Sequence, residues 1–231
     1  MSRLPFLISV PHAGIIIPHE VRHLNLLRRD EIVADTDVTA DAIYAQLEPH
    51  VLRYASSHIA RAFVDLNRAE DDIRKDGVVK THTCWDVPIY SEPLEDETIA
   101  SLLRDYHRPY HNLLTKYAGE GPIFGIDCHT MAAVGPPVAP DTGKRRPKVN
   151  LGDVYGTSCP AEWVQLLCDC LSEVFGEETS LNVPFAGGWI TRTHASEIPW
   201  VQLELSREAW EPPEIKGQRL LRALQMFEDK R

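Results

Sequence analysis

Two apolar runs in this chain end in a histidine. LPFLISVPHAG, residues 4–14, leads to His12, and PIFGIDCHTM, residues 122–131, leads through Asp127 and Cys128 to His129. One such histidine alone is ordinarily a hydrogen-bonded loop residue; the repeated pattern points to metal chemistry. Neutral imidazole is a common ligand for divalent metals. A catalytic zinc takes about three protein ligands, often histidine with a carboxylate, and keeps one position open for water. The sequence DTD at 35–37 offers two candidates for the carboxylate, Asp35 and Asp37. Both precede a helical pattern, where aspartate also serves as an N-cap, so one residue can ligate while the other caps. Asp127 stands two residues before His129 and shares its face if the segment is a strand. It can orient that ring or satisfy a loop.

The segment RAFVDLNR, 61–68, ends in Asn67 and Arg68. Arginine's planar fork holds a carboxylate through two hydrogen bonds, which makes Arg68 a candidate anchor for an acidic substrate. A structural salt bridge to Asp65 or Glu70 is the competing reading. Arg192, in GGWITRTH, is a second candidate, with Gly187 and Gly188 allowing close backbone approach. Glu204 in VQLELS lies between Leu203 and Leu205. A carboxylate buried there is costly without a partner or a task, and accepting a proton from water is one such task. Strict alternation also permits Gln202 and Glu204 to face solvent.

These residues need elements to hold them. Strands are expected at 4–10, 50–56, 59–67, 122–130, 149–156, 187–195 and 199–206. Helices are expected within 29–48, over 94–118, over 159–176 with Gly176 as its stop, and from about 213. Pro109 is expected to kink or divide the second of these. Residues 69–91 read as a long loop or lid, and 133–149 as a Pro/Gly-rich loop with a basic cluster. Strands alternating with helices predict an α/β domain with a mixed, mostly parallel sheet flanked by helices. Ligands gather beyond the carboxyl ends of strands in such sheets, and His12, Asp65–Arg68, Asp127–His129 and Glu204 all fall late in, or just after, an expected strand.

The bulk composition narrows the partners. The chain has 231 residues, enough for one domain with a real core, and a formal net charge of −10. That charge disfavours nucleic acid as a partner. No stretch reaches the roughly 18 apolar residues of a membrane span, and the N-terminal apolar run is too short and too broken by proline for a signal peptide. The 5 cysteines contain no CxxC pair and are odd in number. Reduced thiols in a cytoplasm are the expectation.

Taken together, the segments resemble the N-formylglutamate amidohydrolases. The resemblance rests on SVPHAG at 9–14, DTD at 35–37, RAFVDLNR at 61–68, RPYH at 108–111, GIDCHTM at 125–131, NLGDVYG at 150–156, NVPFAGGWITR at 182–192 and VQLELSRE at 201–208. Each motif is weak alone; their order, over nearly the whole chain, is specific. The resemblance implies a single domain spanning 1–231, with a phosphorylase/hydrolase-like fold related to zinc carboxypeptidases and aspartoacylases. It implies Zn2+, or another divalent ion, held by His12, Asp37 and His129, with Asp35 and Asp127 supporting them. It further implies Glu204 as general base, Arg68 as a substrate and oxyanion contact, and Asn67, Arg68 and Arg192 as holders of an acidic N-acyl amino acid, N-formyl-L-glutamate first.

The chain departs from the related patterns in places. Ile15 stands where zinc carboxypeptidases carry a glutamate ligand three residues after the histidine, so the carboxylate must come from elsewhere. Thr193, His194 and Ala195 replace a common Tyr-Gly near the expected substrate wall, and Thr130 replaces a commoner serine. Three alternatives remain open at the level of sequence. One is a carboxypeptidase or other deacylase. Another is a non-catalytic metal- or ligand-binding protein. The third is a fold in which every polar cluster merely caps or salt-bridges.

Overall fold

The computed structural model describes residues 3–137 and 139–231. Its centre is a six-stranded sheet in the order β2-β1-β3-β6-β4-β5, formed by β1 (Leu4–Val10), β2 (Val51–Ser56), β3 (Phe124–Met131), β4 (Val149–Gly152), β5 (Ser180–Leu181) and β6 (Trp200–Ser206). All neighbours run parallel except β4 and β6, which are antiparallel. The fold is the single α/β domain, with a mixed and mostly parallel sheet, that the sequence predicts.

The sheet is buried on both faces. Phe6, Ile8 and Val10 of β1, Ile126 and Cys128 of β3 and Val201, Leu203 and Leu205 of β6 point to one side. There they pack with α2 (Ala40–Tyr44), α5 (Ala161–Phe175) and α7 (Pro213–Lys230). Period-two alternation then sends Ser9, Asp127, His129, Gln202 and Glu204 to the other side, where all are buried. That side is covered by the helical run 96–118, by α6 (Trp189–His194) and by the irregular segment 57–91. Glu204 therefore does not face solvent. The alternation of β6 is real, but both of its faces are covered, and all seven residues are buried.

Two expected strands are not strands. Residues 59–67 make only isolated bridges, at Ile59 and Ala60, before the chain turns. The apolar run packs whole into the second core cluster, with Ala60, Ala62, Phe63, Val64 and Leu66 all buried; a short apolar run does not by itself distinguish a strand from a buried turn. Residues 189–194 form α6, with Ile190, Thr191 and His194 buried at helical spacing. Their β-branched content favours a strand, and packing against β6 overrides that preference.

The run at 96–118 is continuous. It comprises α3 (Asp96–Leu102), a π-helical turn over Leu103–His107 and α4 (Arg108–Ala118). In the π turn the amide of Arg108 reaches back to the carbonyl of Leu103, and Pro109, which has no N–H to donate, follows directly, so the ladder shifts at the proline and the run is not divided there. Asp35 closes α1 (Arg29–Asp35) and Asp37 lies in the loop before α2; neither caps α2 through its side chain, so both carboxylates are free for other partners. All 5 cysteines are unpaired. Among the described residues, no helix is long and apolar enough to cross a membrane.

Candidate metal centre

Three parallel strands deliver the site at their carboxyl ends. His12 follows β1, His129 lies late in β3, and Glu204 lies beside it in β6. The loop between α1 and α2 adds Asp37, whose backbone amide donates to the carbonyl of His12 at 3.1 Å. His12, Asp37 and His129 bring one ligand atom each to within 4.8 Å of one another, and all three are buried. Asp37 Oδ2 lies 3.0 Å from His129 Nδ1 and 3.7 Å from His12 Nδ1.

The far nitrogen of each ring is tied down. His12 Nε2 meets Asp65 Oδ1 at 2.8 Å. His129 Nε2 meets Asp127 Oδ2 at 2.9 Å. A carboxylate only accepts, so each ring carries a proton on Nε2; His129 Nδ1 also meets a carboxylate, Asp37, and is protonated as well when no metal is bound, whereas His12 turns a free Nδ1 inward. His12 Nδ1 is buried with no hydrogen-bond partner. A buried nitrogen without a partner, beside a second imidazole and a carboxylate, is a donor set that suits zinc or a similar divalent ion. The three residues fit such a group.

The electrostatics agree. Burial alone would raise the Asp37 carboxyl, but the close approach and charge of His12 and His129 hold it well below its usual range. Burial also acts to raise Asp65, and His12, Arg61 and Lys80 overcome it and hold it well below normal. His129 is opposed by burial yet lies well above the usual imidazole range, because Asp127 and Asp37 favour its charged form. A divalent cation would take the place of that proton. Glu204 behaves in the opposite way: burial, only partly countered by His129, pushes it up to about 7. Gln202 holds it, donating from Nε2 to Glu204 Oε1 at 2.8 Å.

Asp35 is not at the ligand cluster. Its Oδ1 accepts the amide of Cys84 at 2.7 Å, and its Oδ2 lies 3.3 Å from Lys80 Nζ. It thereby secures the segment 69–91, whose Cys84 and Trp85 line a cavity of about 370 Å³ in front of the cluster. The segment is a wall pinned by a buried lysine. Arg68 lines the same cavity, with long contacts to Asp76 (3.4 Å) and Asp65 (3.9 Å). Asn67 lines it too, but both ends of its amide are engaged: Nδ2 donates to Asp127 Oδ2 at 3.1 Å, and Oδ1 accepts from the Ile190 amide at 2.8 Å. Arg192 lies outside the cavity lining, exposed on α6, with its Nε on the Gly187 carbonyl. Gly187 and Gly188 are in the lining, and a Cβ at Gly188 would fall 2.3 Å from Asn67 Nδ2.

Four basic residues at the site went unrecognised in the sequence. Arg61 contacts Asp37 and Asp65, at 3.4 and 3.2 Å. Arg207 contacts Asp37 at 3.3 Å and the Thr130 carbonyl at 2.9 Å. Arg146 is buried in the cavity wall and forked onto Asp141. Lys80 bridges Asp35 and Asp65. Arg61 and Arg207 lie inside motifs already singled out. Lys80 and Arg146 stand in stretches that read as loops and give no local sign of burial.

The N-formylglutamate amidohydrolase family description matches residues 4–210. The chain belongs to that family. It is 30% identical over 224 residues to an N-formylglutamate deformylase of Pseudomonas putida, covering 90% of this chain and 82% of that protein. A deformylase of the same name from Pseudomonas aeruginosa is 30% identical over 222 residues, covering 89% and 82%. The fold matches the crystal structure of an N-formylglutamate amidohydrolase from Ralstonia eutropha JMP134, with a TM-score of 0.81 at 18% identity, over 100% of this chain and 94% of that one. It also matches a gene product of Agrobacterium tumefaciens, with a TM-score of 0.75 at 14% identity, over 97% and 88%. This family member thus carries a buried His-Asp-His cluster consistent with the active site of a metal-dependent amidohydrolase.

Proposed function

We propose that this family member is a zinc-dependent amidohydrolase that cleaves an N-acyl acidic amino acid, with N-formyl-L-glutamate as the first candidate and formate and glutamate as products. One observation carries the reading. His12 and His129 are both turned so that Nδ1 faces Asp37, with Glu204 alongside, at the floor of a cavity lined by arginines. The names of the Pseudomonas relatives supply the substrate class.

His12, Asp37 and His129 would hold the ion. A bound zinc supplies Lewis acidity toward the amide carbonyl and lowers the pKa of water toward ~7. Glu204, with a carboxyl near neutrality, takes the proton of the attacking water and returns it to the departing amine nitrogen. Arg68 receives a substrate carboxylate in exchange for its long contacts to Asp65 and Asp76. Asn67 acts from behind, by holding Asp127 against His129. The irregular wall at 69–91 and the start of α6 limit the access of bulk water.

The test is metal content and hydrolysis measured together, on the parent and on the His12→Ala/His129→Ala double variant. About one ion per chain and turnover of N-formylglutamate in the parent, with both lost in the variant, is the expected result. Metal without turnover of N-formylglutamate, but with turnover of another N-acyl amino acid or a peptide, would move the substrate assignment. A parent that binds no metal would overturn the reading.

A further inference from the structure

Both histidine ligand candidates are oriented from a single turn. Asp65 holds His12, and two residues later Asn67 holds Asp127, which holds His129. The turn itself belongs to no sheet ladder. Asp65 Oδ1 accepts the Asn67 amide at 3.0 Å, which closes the turn on itself.

What fixes it from behind is a pair of histidines one helical turn apart. His107, in the π-helical turn, places Nε2 2.9 Å from the Arg68 carbonyl. His111, in α4, places Nε2 3.0 Å from the Leu66 carbonyl. The two carbonyls flank Asn67. Carbonyls only accept, so both rings must carry hydrogen on Nε2. The rings lie against each other with centroids 4.4 Å apart. His111 Nδ1 meets His194 Nε2 at 2.9 Å, and His194 Nδ1 meets Glu197 Oε2 at 2.9 Å. The pair is therefore braced against α6, whose Ile190 amide holds the other end of the Asn67 side chain.

We infer that His107 and His111 are positioning residues: by clamping the carbonyls on both sides of Asn67 they set the aim of the His12 and His129 rings, and hence the affinity of the metal centre. The inference rests on the metal-centre reading above. His107 and His111 share a face through ordinary i, i+4 helical spacing, and the π-helical turn that ends at His107 is of a kind that recurs at functional sites. Neither ring touches the ligand cluster, so the effect passes through Asp65 and Asn67.

The probe is Zn2+, titrated against a competing chelator, with unfolding temperature measured on the metal-free proteins. Glutamine can place an amide hydrogen where imidazole places Nε2–H; leucine cannot. Groups behind metal ligands typically change affinity by roughly 10–100-fold. One step further back, His107→Leu/His111→Leu should weaken zinc binding by about 5–30-fold, and His107→Gln/His111→Gln should stay within about threefold of the parent. If the leucine double variant does not fold, the single variants His107→Leu and His111→Leu, each keeping one clamped carbonyl, should show intermediate losses. Folded leucine variants that bind zinc as the parent does would overturn the inference, and so would a glutamine pair as weak as the leucine pair. A parent that binds zinc without hydrolysing any N-acyl amino acid would refute the proposed activity while leaving the clamp fully testable by affinity.

Discussion

Glu204 of β6 lies directly opposite His129 of β3 in the parallel ladder, and both side chains project to the same buried face of the sheet. A carboxyl held near neutrality is thereby fixed beside a metal-ligand candidate by strand register, which is a stiffer device than a loop. Removing the carboxylate should separate binding from chemistry. Glu204→Gln is expected to keep its metal while kcat falls by about 10²–10⁴, the usual worth of a positioned acid–base group. Near-parental turnover with metal bound would show that the base lies elsewhere.

Asp65 presents its Oδ1 to His12 and is buried with Arg61 and Lys80. Asp65→Asn removes the charge and can present an N–H to the imidazole in place of an acceptor. Zinc affinity should drop by about 10–100-fold, and isothermal titration on the metal-free protein would show it. An unchanged affinity would mean that His12 does not depend on this partner.

Arg68 is the cavity-lining arginine with the loosest internal pairing. Arg68→Ala should raise KM for N-formylglutamate by about 10–100-fold, the equivalent of a charged hydrogen-bonded contact worth roughly 1.5–3 kcal/mol. Preference for acidic over neutral N-formyl amino acids should shrink by a similar factor. A loss equal for both substrate types would point to a structural role.

Lys80 is almost fully buried and spans Asp35 and Asp65. Lys80→Met leaves two buried carboxylates short of a partner, a defect that commonly costs about 3–5 kcal/mol. The unfolding temperature should fall by roughly 6–20 °C for a domain of this size. A stable Lys80→Met protein would show that Arg61, His12 and the Cys84 amide suffice.

His111 gives stability a pH dependence. Burial, then the neighbouring His107 and His194, push its imidazole from the usual 6.5 down to about 4, against the Leu66 carbonyl and Asp127. The other charged groups around it are Glu70 and Glu197. Its folded pKa lies below its unfolded one, so as pH falls the unfolded chain takes up the proton first. The contribution is complete above about pH 6.5 and is lost as pH falls toward 4, a change on the order of 2–3 kcal/mol. Denaturant unfolding across that window should show the parent losing more stability than His111→Gln. Parallel pH profiles for the two proteins would contradict this.

Much of this protein can be read from its sequence because the relevant patterns are local. Alternating or continuous apolar runs marked β1, β3 and β6. The run closing at Gly176 marked α5. Polar residues at the ends of apolar runs flagged His12, Asp127, His129 and Glu204 before any geometry was known. By residue type and spacing alone Asp35 and Asp37 are interchangeable in a metal role; the family resemblance favours Asp37, and the fold turns Asp37 toward the histidines and Asp35 toward Lys80 and Cys84. Local patterns also misled. Residues 189–194 have strand-like composition but a helical contact surface, and 59–67 are apolar enough for a strand but pack as a turn. Asn67 and Arg192 looked alike as polar residues near glycines or strand ends; one is spent inside the site and the other stands outside the cavity lining. The sequence by itself determined which residue types stand at strand ends and in what order, since burial periodicity is written along the chain. Only the tertiary structure decided which nitrogen of each histidine faces inward and which cations balance the buried acids. It also decided that two helix histidines stand behind Asn67. Most of those facts depend on contacts between distant segments, 53 residues apart for His12 and Asp65 and 170 for Asp37 and Arg207, and no local pattern encodes them.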